Sequence, residues 1–100
     1  MATYLILWRE DVDRMPTKPT ERSKVYMELV QIMRDGMERG VRDFGLFVGE
    51  NAGFIVFEGN EIELTLLCQQ LYPYLQLRVK QFIGLDVYEE TAKALKEMEA

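Results

Sequence analysis

Apolar positions recur along this chain with two different periods. Between residues 44 and 58, two short runs rich in Val, Ile and Phe flank a connection that opens at Gly49, carries Glu50 and Asn51, and closes at Gly53. That is the composition of a β-hairpin. Residues 3–9 place Tyr4, Ile6 and Trp8 on one face and Leu5 and Leu7 on the other, the pattern of a strand buried on both sides. After Pro19 the period changes. At 100° per residue, Val25, Tyr26, Leu29, Val30, Ile32, Met33 and Met37 share one arc of a helix that Thr20 caps and that runs to about residue 39. Gly36 lies inside the arc, where it either admits a neighbouring backbone or ends the helix early. A helix of about twenty residues spans ~30 Å and a six-residue strand ~20 Å, so this helix overhangs its sheet and the overhang needs cover.

Asn60 with Glu63 is a capping-box start for a second helix ending near residue 72. This helix is apolar nearly all round, which predicts cover on more than one side. Residues 74–81 then alternate, with Leu75, Leu77 and Val79 against Gln76, Arg78 and Lys80, a half-buried edge strand. Asp86 with Glu89 opens a last helix whose stripe is Tyr88, Thr91, Ala92, Leu95 and Met98. It is expected to cover an exposed flank or to reach a partner chain. The order βαββαβ plus a C-terminal helix predicts a single ferredoxin-like α+β domain over residues 1–100, an antiparallel sheet with its first two helices on one face. The other face is then a large apolar patch, which predicts a homodimer.

Composition narrows the chemistry. The 48% hydrophobic and 29% charged residues are those of a globular chain. No apolar run approaches the ~20 residues of a membrane span, and the first ten residues lack the features of a secretory signal. A cytoplasmic location and no membrane partner are expected. One cysteine, Cys68, and no histidine exclude an internal disulfide, Cys/His zinc sites and Ser-His or Cys-His nucleophile pairs. Cys68 sits on the apolar side of the second helix and reads as an inert buried thiol. Glu10, Asp11 and Asp13 lack the glycine and distal glutamate of a calcium loop and read as a solvated loop, not a metal site. No cofactor is implied. The net charge of −5 disfavours nucleic acid as a partner.

Residues 53–58, Gly-Phe-Ile-Val-Phe-Glu, lead into the capped helix, and residues 74–79, Tyr-Leu-Gln-Leu-Arg-Val, form the following strand. In this and in its element order the chain resembles the dimeric α/β-barrel superfamily. The resemblance implies two sheets packed face to face, and in the enzyme branches a small aromatic or lactone substrate between sheet and helices. The His-Asp chemistry of some branches has no residues here. If Leu5 and Leu7 face the helices, Tyr4 and Trp8 share the open face with Gln76 and Arg78, a candidate binding site for a small carboxylate or phenolate. Three alternatives stand beside it. Tyr4 and Trp8 fill the interface of a structural or regulatory interaction domain; Trp8, Tyr4 and Arg78 serve a cofactor-free monooxygenase-like enzyme; or residues 53–57 echo an RNA-recognition module, without the basic residue expected before its glycine.

Overall fold

A computed structural model of the chain describes residues 2–98. Its elements are β1 (Ala2–Glu10), α1 (Pro19–Met37), β2 (Val41–Leu46), β3 (Ala52–Gly59), α2 (Glu61–Leu71), β4 (Leu75–Phe82) and α3 (Leu85–Met98). The strands form one antiparallel sheet in the order β2-β3-β1-β4. This is the ferredoxin-like α+β arrangement with an added C-terminal helix, and β4 is an edge strand as its alternation predicts.

Registry decides which face each side chain occupies. Tyr4 pairs with Phe57, Ile6 with Ile55 and Trp8 with Gly53, while Ile6 and Trp8 pair on the other side with Val79 and Leu77. Cross-strand partners share a face, so the even positions of β1 join the apolar row of β4. Ile6 and Ile55 are fully buried there, with Met33 of α1 and Leu64, Leu67, Cys68 and Leu71 of α2 in the same core. Leu5, Leu7, Phe54 and Val56 lie half-buried on the opposite face, with Gln76, Arg78 and Lys80 beside them.

α1 begins at Pro19, and Thr20 is not its cap. Lys18 holds the extended N-cap conformation without a side-chain hydrogen bond, because proline at the first position supplies the right φ and needs no N–H partner. Gly36 belongs to the helix. A Cβ there would meet Cγ2 of Val41 at 2.8 Å, so the glycine seats the first side chain of β2 against α1. Gly40 then turns the chain at φ 123°.

α2 starts with the predicted capping box: Glu63 N–H donates to Asn60 Oδ1 at 2.8 Å, and Asn60 N–H donates to Glu63 Oε1 at 3.2 Å. Asn60→Ala removes one of these bonds and weakens the other. The expected loss is about 1 kcal/mol, a fall in Tm of about 4–8 °C by calorimetry. Only one side of α2 is covered; Ile62 and Leu66 are exposed. Their predicted second cover is absent because α3 does not return to the domain. Among the described residues α3 packs against no other element, none of its described residues is buried, and the longest dimension is 64 Å. Among the described residues no helix is long and apolar enough to cross a membrane.

Candidate functional site

The four residues singled out by sequence do not converge. Tyr4 and Trp8 lie on the helix-covered face, while Gln76 and Arg78 lie on the open face opposite Arg9 and Leu7. A strand that is apolar on both sides gives no parity of its own, and a one-residue change of parity moves every side chain to the other face. The clean alternation of β4, carried across the ladder to β1, is the signal that sets it.

Trp8 instead opens onto a cleft on the helix side. Its ring stacks on Phe44 of β2, with centroids 5.7 Å apart and planes 11° from parallel. β1 and β2 are not neighbours, and β3 runs between them, which separates the two backbones by roughly 10 Å. The stack forms because the β3 residue between them is Gly53. A Cβ there would overlap the indole of Trp8 and the carbonyl oxygen of Gly45. The indole therefore lies across the bare backbone of β3 and reaches β2. Among the described residues its N–H is buried without a hydrogen-bond partner.

Above this aromatic floor, α1 overhangs the β2–β3 end of the sheet and encloses a cleft of about 430 Å³. Leu29, Val30, Met33 and Met37 form the helical wall, and Leu46 completes the apolar lining from β2. Tyr26, Val30 and Met37 belong to the apolar arc predicted for α1, yet they remain exposed. The arc is wider than the sheet beneath it, and the cleft is the uncovered remainder.

The polar groups of the cleft are few. Arg34 and Asn51 reach it from α1 and the β2–β3 turn, and Glu10 and Tyr26 reach it from the end of β1 and from α1. Arg34 forms no ion pair or side-chain hydrogen bond among the described residues. Glu10 is bound by Arg22, whose Nη2 lies 3.1 Å from Oε2. The same nitrogen donates to the hydroxyl of Tyr26, the guanidinium carbon lies 5.4 Å from the Tyr26 ring centroid, and Nη1 donates to the carbonyl of Pro16 at 3.2 Å. Burial, ahead of the negative charge of nearby Glu10, pushes the Tyr26 hydroxyl above its ordinary pKa. The hydrogen bond to Tyr26, ahead of the charge of Glu10, pushes the Arg22 guanidinium up. Both groups keep their protons throughout the neutral range.

The other titratable residues noted in the sequence lie elsewhere. Asp11 accepts from the backbone N–H of Asp13 and pairs with Arg14 at 3.5 Å, so the loop carboxylates face different partners. Among the described residues no three His, Cys, Asp or Glu side chains converge as a metal site. Cys68 is in the core between α2 and the sheet, and burial pushes its thiol up.

Fold and cleft together define a ferredoxin-like α+β domain with a ligand-sized apolar recess under its first helix. No family model matches the chain, and no curated protein matches it.

Proposed function

We propose that this protein binds a small, flat, largely apolar molecule carrying one acidic group, and that it does so as a homodimer assembled through its open sheet face. The observation that carries the binding reading is the cleft. Its volume of about 430 Å³ is in the range of small-molecule sites, which are mostly apolar with a few placed polar groups. A cavity of roughly 150 Å³ holds one benzene ring, so there is room for two rings. The stacked Trp8 and Phe44 suit a planar ligand, and Arg34 is a cation that forms no ion pair among the described residues.

The homodimer is supported by the open face. Leu5, Leu7, Phe54 and Val56 form an apolar field there, bordered by the Arg42–Glu58 pair at 3.8 Å and by Arg78 and Lys80. Neither α1 nor α2 covers it. An apolar centre with a charged rim is the anatomy of a protein interface.

Calorimetric titration with 2-naphthoate tests the binding reading. A two-ring acid of this size is expected to bind with a Kd on the order of 100 μM. Val30→Trp, at an exposed position of the helical wall, is expected to fill the cleft and abolish binding while leaving Tm within about 3 °C of wild type. Arg34→Leu is expected to weaken it about tenfold. Absence of heat at millimolar 2-naphthoate, or full binding by Val30→Trp, would overturn the reading.

A further inference from the structure

The cleft has a second polar end, and that end differs in kind from Arg34. Glu10 is the last residue of β1, and its side chain is only 9% exposed. A carboxylate taken this far out of water is costly unless it is paired and hydrogen-bonded. Arg22 supplies the pairing, and it is itself fixed by the Tyr26 hydroxyl and the Pro16 carbonyl. The backbone holds the other side of the residue, since Glu10 N–H donates to the carbonyl of Asn51 at 2.9 Å. The carboxylate therefore stands in one orientation before any ligand arrives.

What remains is acceptor capacity. An ionised carboxylate has about four lone-pair sites; among the described residues Arg22 uses one of them, and Tyr26 acts on the carboxylate through Arg22, from which its hydroxyl accepts. Glu10 and Tyr26 both line the cleft, so the unused capacity borders the space a ligand would fill. Because Arg22 neutralises its charge, this end does not repel the acidic ligand that Arg34 attracts. Tyr26 and Arg34 are eight residues apart on α1, about 12 Å of helix axis, and both line the cleft.

Resting on the cleft reading above, we propose that Glu10, held by Arg22, which Tyr26 in turn fixes, accepts a hydrogen bond from the ligand. The ligand class is then a fused or para-substituted arene with an acidic group at one end and a hydroxyl or other hydrogen-bond donor at the other. Arg34 takes the acid, the Trp8–Phe44 stack takes the rings, and Glu10 takes the donor. Glu10 is here a specificity residue.

Three probes of one shape test it by calorimetry: 2-naphthoate, 6-hydroxy-2-naphthoate and 6-methoxy-2-naphthoate. The hydroxyl compound is expected to bind about tenfold tighter than 2-naphthoate, as a hydrogen bond to a charged acceptor should. The methoxy compound, which only accepts, is expected to bind no better than 2-naphthoate. In Glu10→Gln the hydroxyl advantage, read as the ratio of the two dissociation constants, is expected to shrink to about threefold or less. A role in folding alone would lower Tm without moving the ratio between the two acids. If 2-naphthoate binds and the hydroxyl and methoxy compounds match it, the donor-accepting role is overturned and the cleft reading stands. If none of the three binds, the cleft reading falls and takes this one with it. Should Glu10→Gln fail to fold, the three-probe comparison on the wild-type chain still decides between these outcomes.

Discussion

Ile55→Glu will not fold at 25 °C, whereas Val56→Glu, one position later on the same strand, will give a folded chain with an unchanged far-UV circular dichroism spectrum. Ile55 has no exposed surface and sits between Ile6 and Phe44 in the ladder, under the helices. A glutamate there loses roughly 2–5 kcal/mol of packing and adds several more for an unpaired buried charge. The total reaches the whole stability of a typical domain, about 5–15 kcal/mol. Val56 pairs with Leu5 on the open face, where a carboxylate can reach water. Its effect is expected in the solution mass: light scattering should report a dimer for the wild-type chain and a monomer for Val56→Glu. Two folded variants would show that the face assignment is wrong. A wild-type monomer would overturn the dimer while leaving the fold untouched.

Gly53→Val is expected to be the second most damaging single change, and to act on fold and cleft together. Any side chain at this position overlaps the carbonyl oxygen of Gly45 on β2 and the ring of Trp8. Overpacking in a well-packed region typically costs 1–3 kcal/mol when flexible side chains can give way, and here one obstacle is backbone. A loss of at least about 3 kcal/mol lowers Tm by more than about 12 °C. Trp8 is the only tryptophan, so its emission reports the second effect directly. Driven off β3, the indole loses Phe44 and moves toward water, its emission shifts to longer wavelength, and 2-naphthoate binding disappears. An unchanged emission maximum and Tm would mean that the indole does not depend on the bare backbone of β3.

The architecture was readable because its signals are local and redundant. Alternation marks β4, the 3.6-residue period marks α1, and Asn60 with Glu63 marks the start of α2. All three act within a few residues of each other. The parity of β1 is not local, because Leu5 and Leu7 are as apolar as Ile6 and Trp8, and only pairing with β4 distinguishes them. The cleft was harder to see for the same reason. Trp8 was visible as an aromatic anchor, but its contact with Phe44 needs a strand order and a glycine between them. Tyr26 was visible as a member of the apolar arc of α1, whereas Arg34 carried no signal of its own. That they overlook a recess follows from how far α1 extends past the strands, which only the assembled sheet reveals. Thr20 shows the converse: a good capping residue was overridden by the proline before it.

α3 differs thermodynamically from the rest of the chain. Its stabilising contacts among the described residues are internal, namely Lys93 with Glu89 and Glu90 at 3.4 Å each and the Thr91 hydroxyl on the carbonyl of Val87 at 2.8 Å. Isolated helices of this length are marginal in water, and exposed pairs of this kind contribute a few tenths of a kcal/mol each. In a lone protomer the helix therefore melts gradually, uncoupled from the sheet. The cooperative unit ends with β4, and one unfolding free energy describes that unit without describing the whole polypeptide.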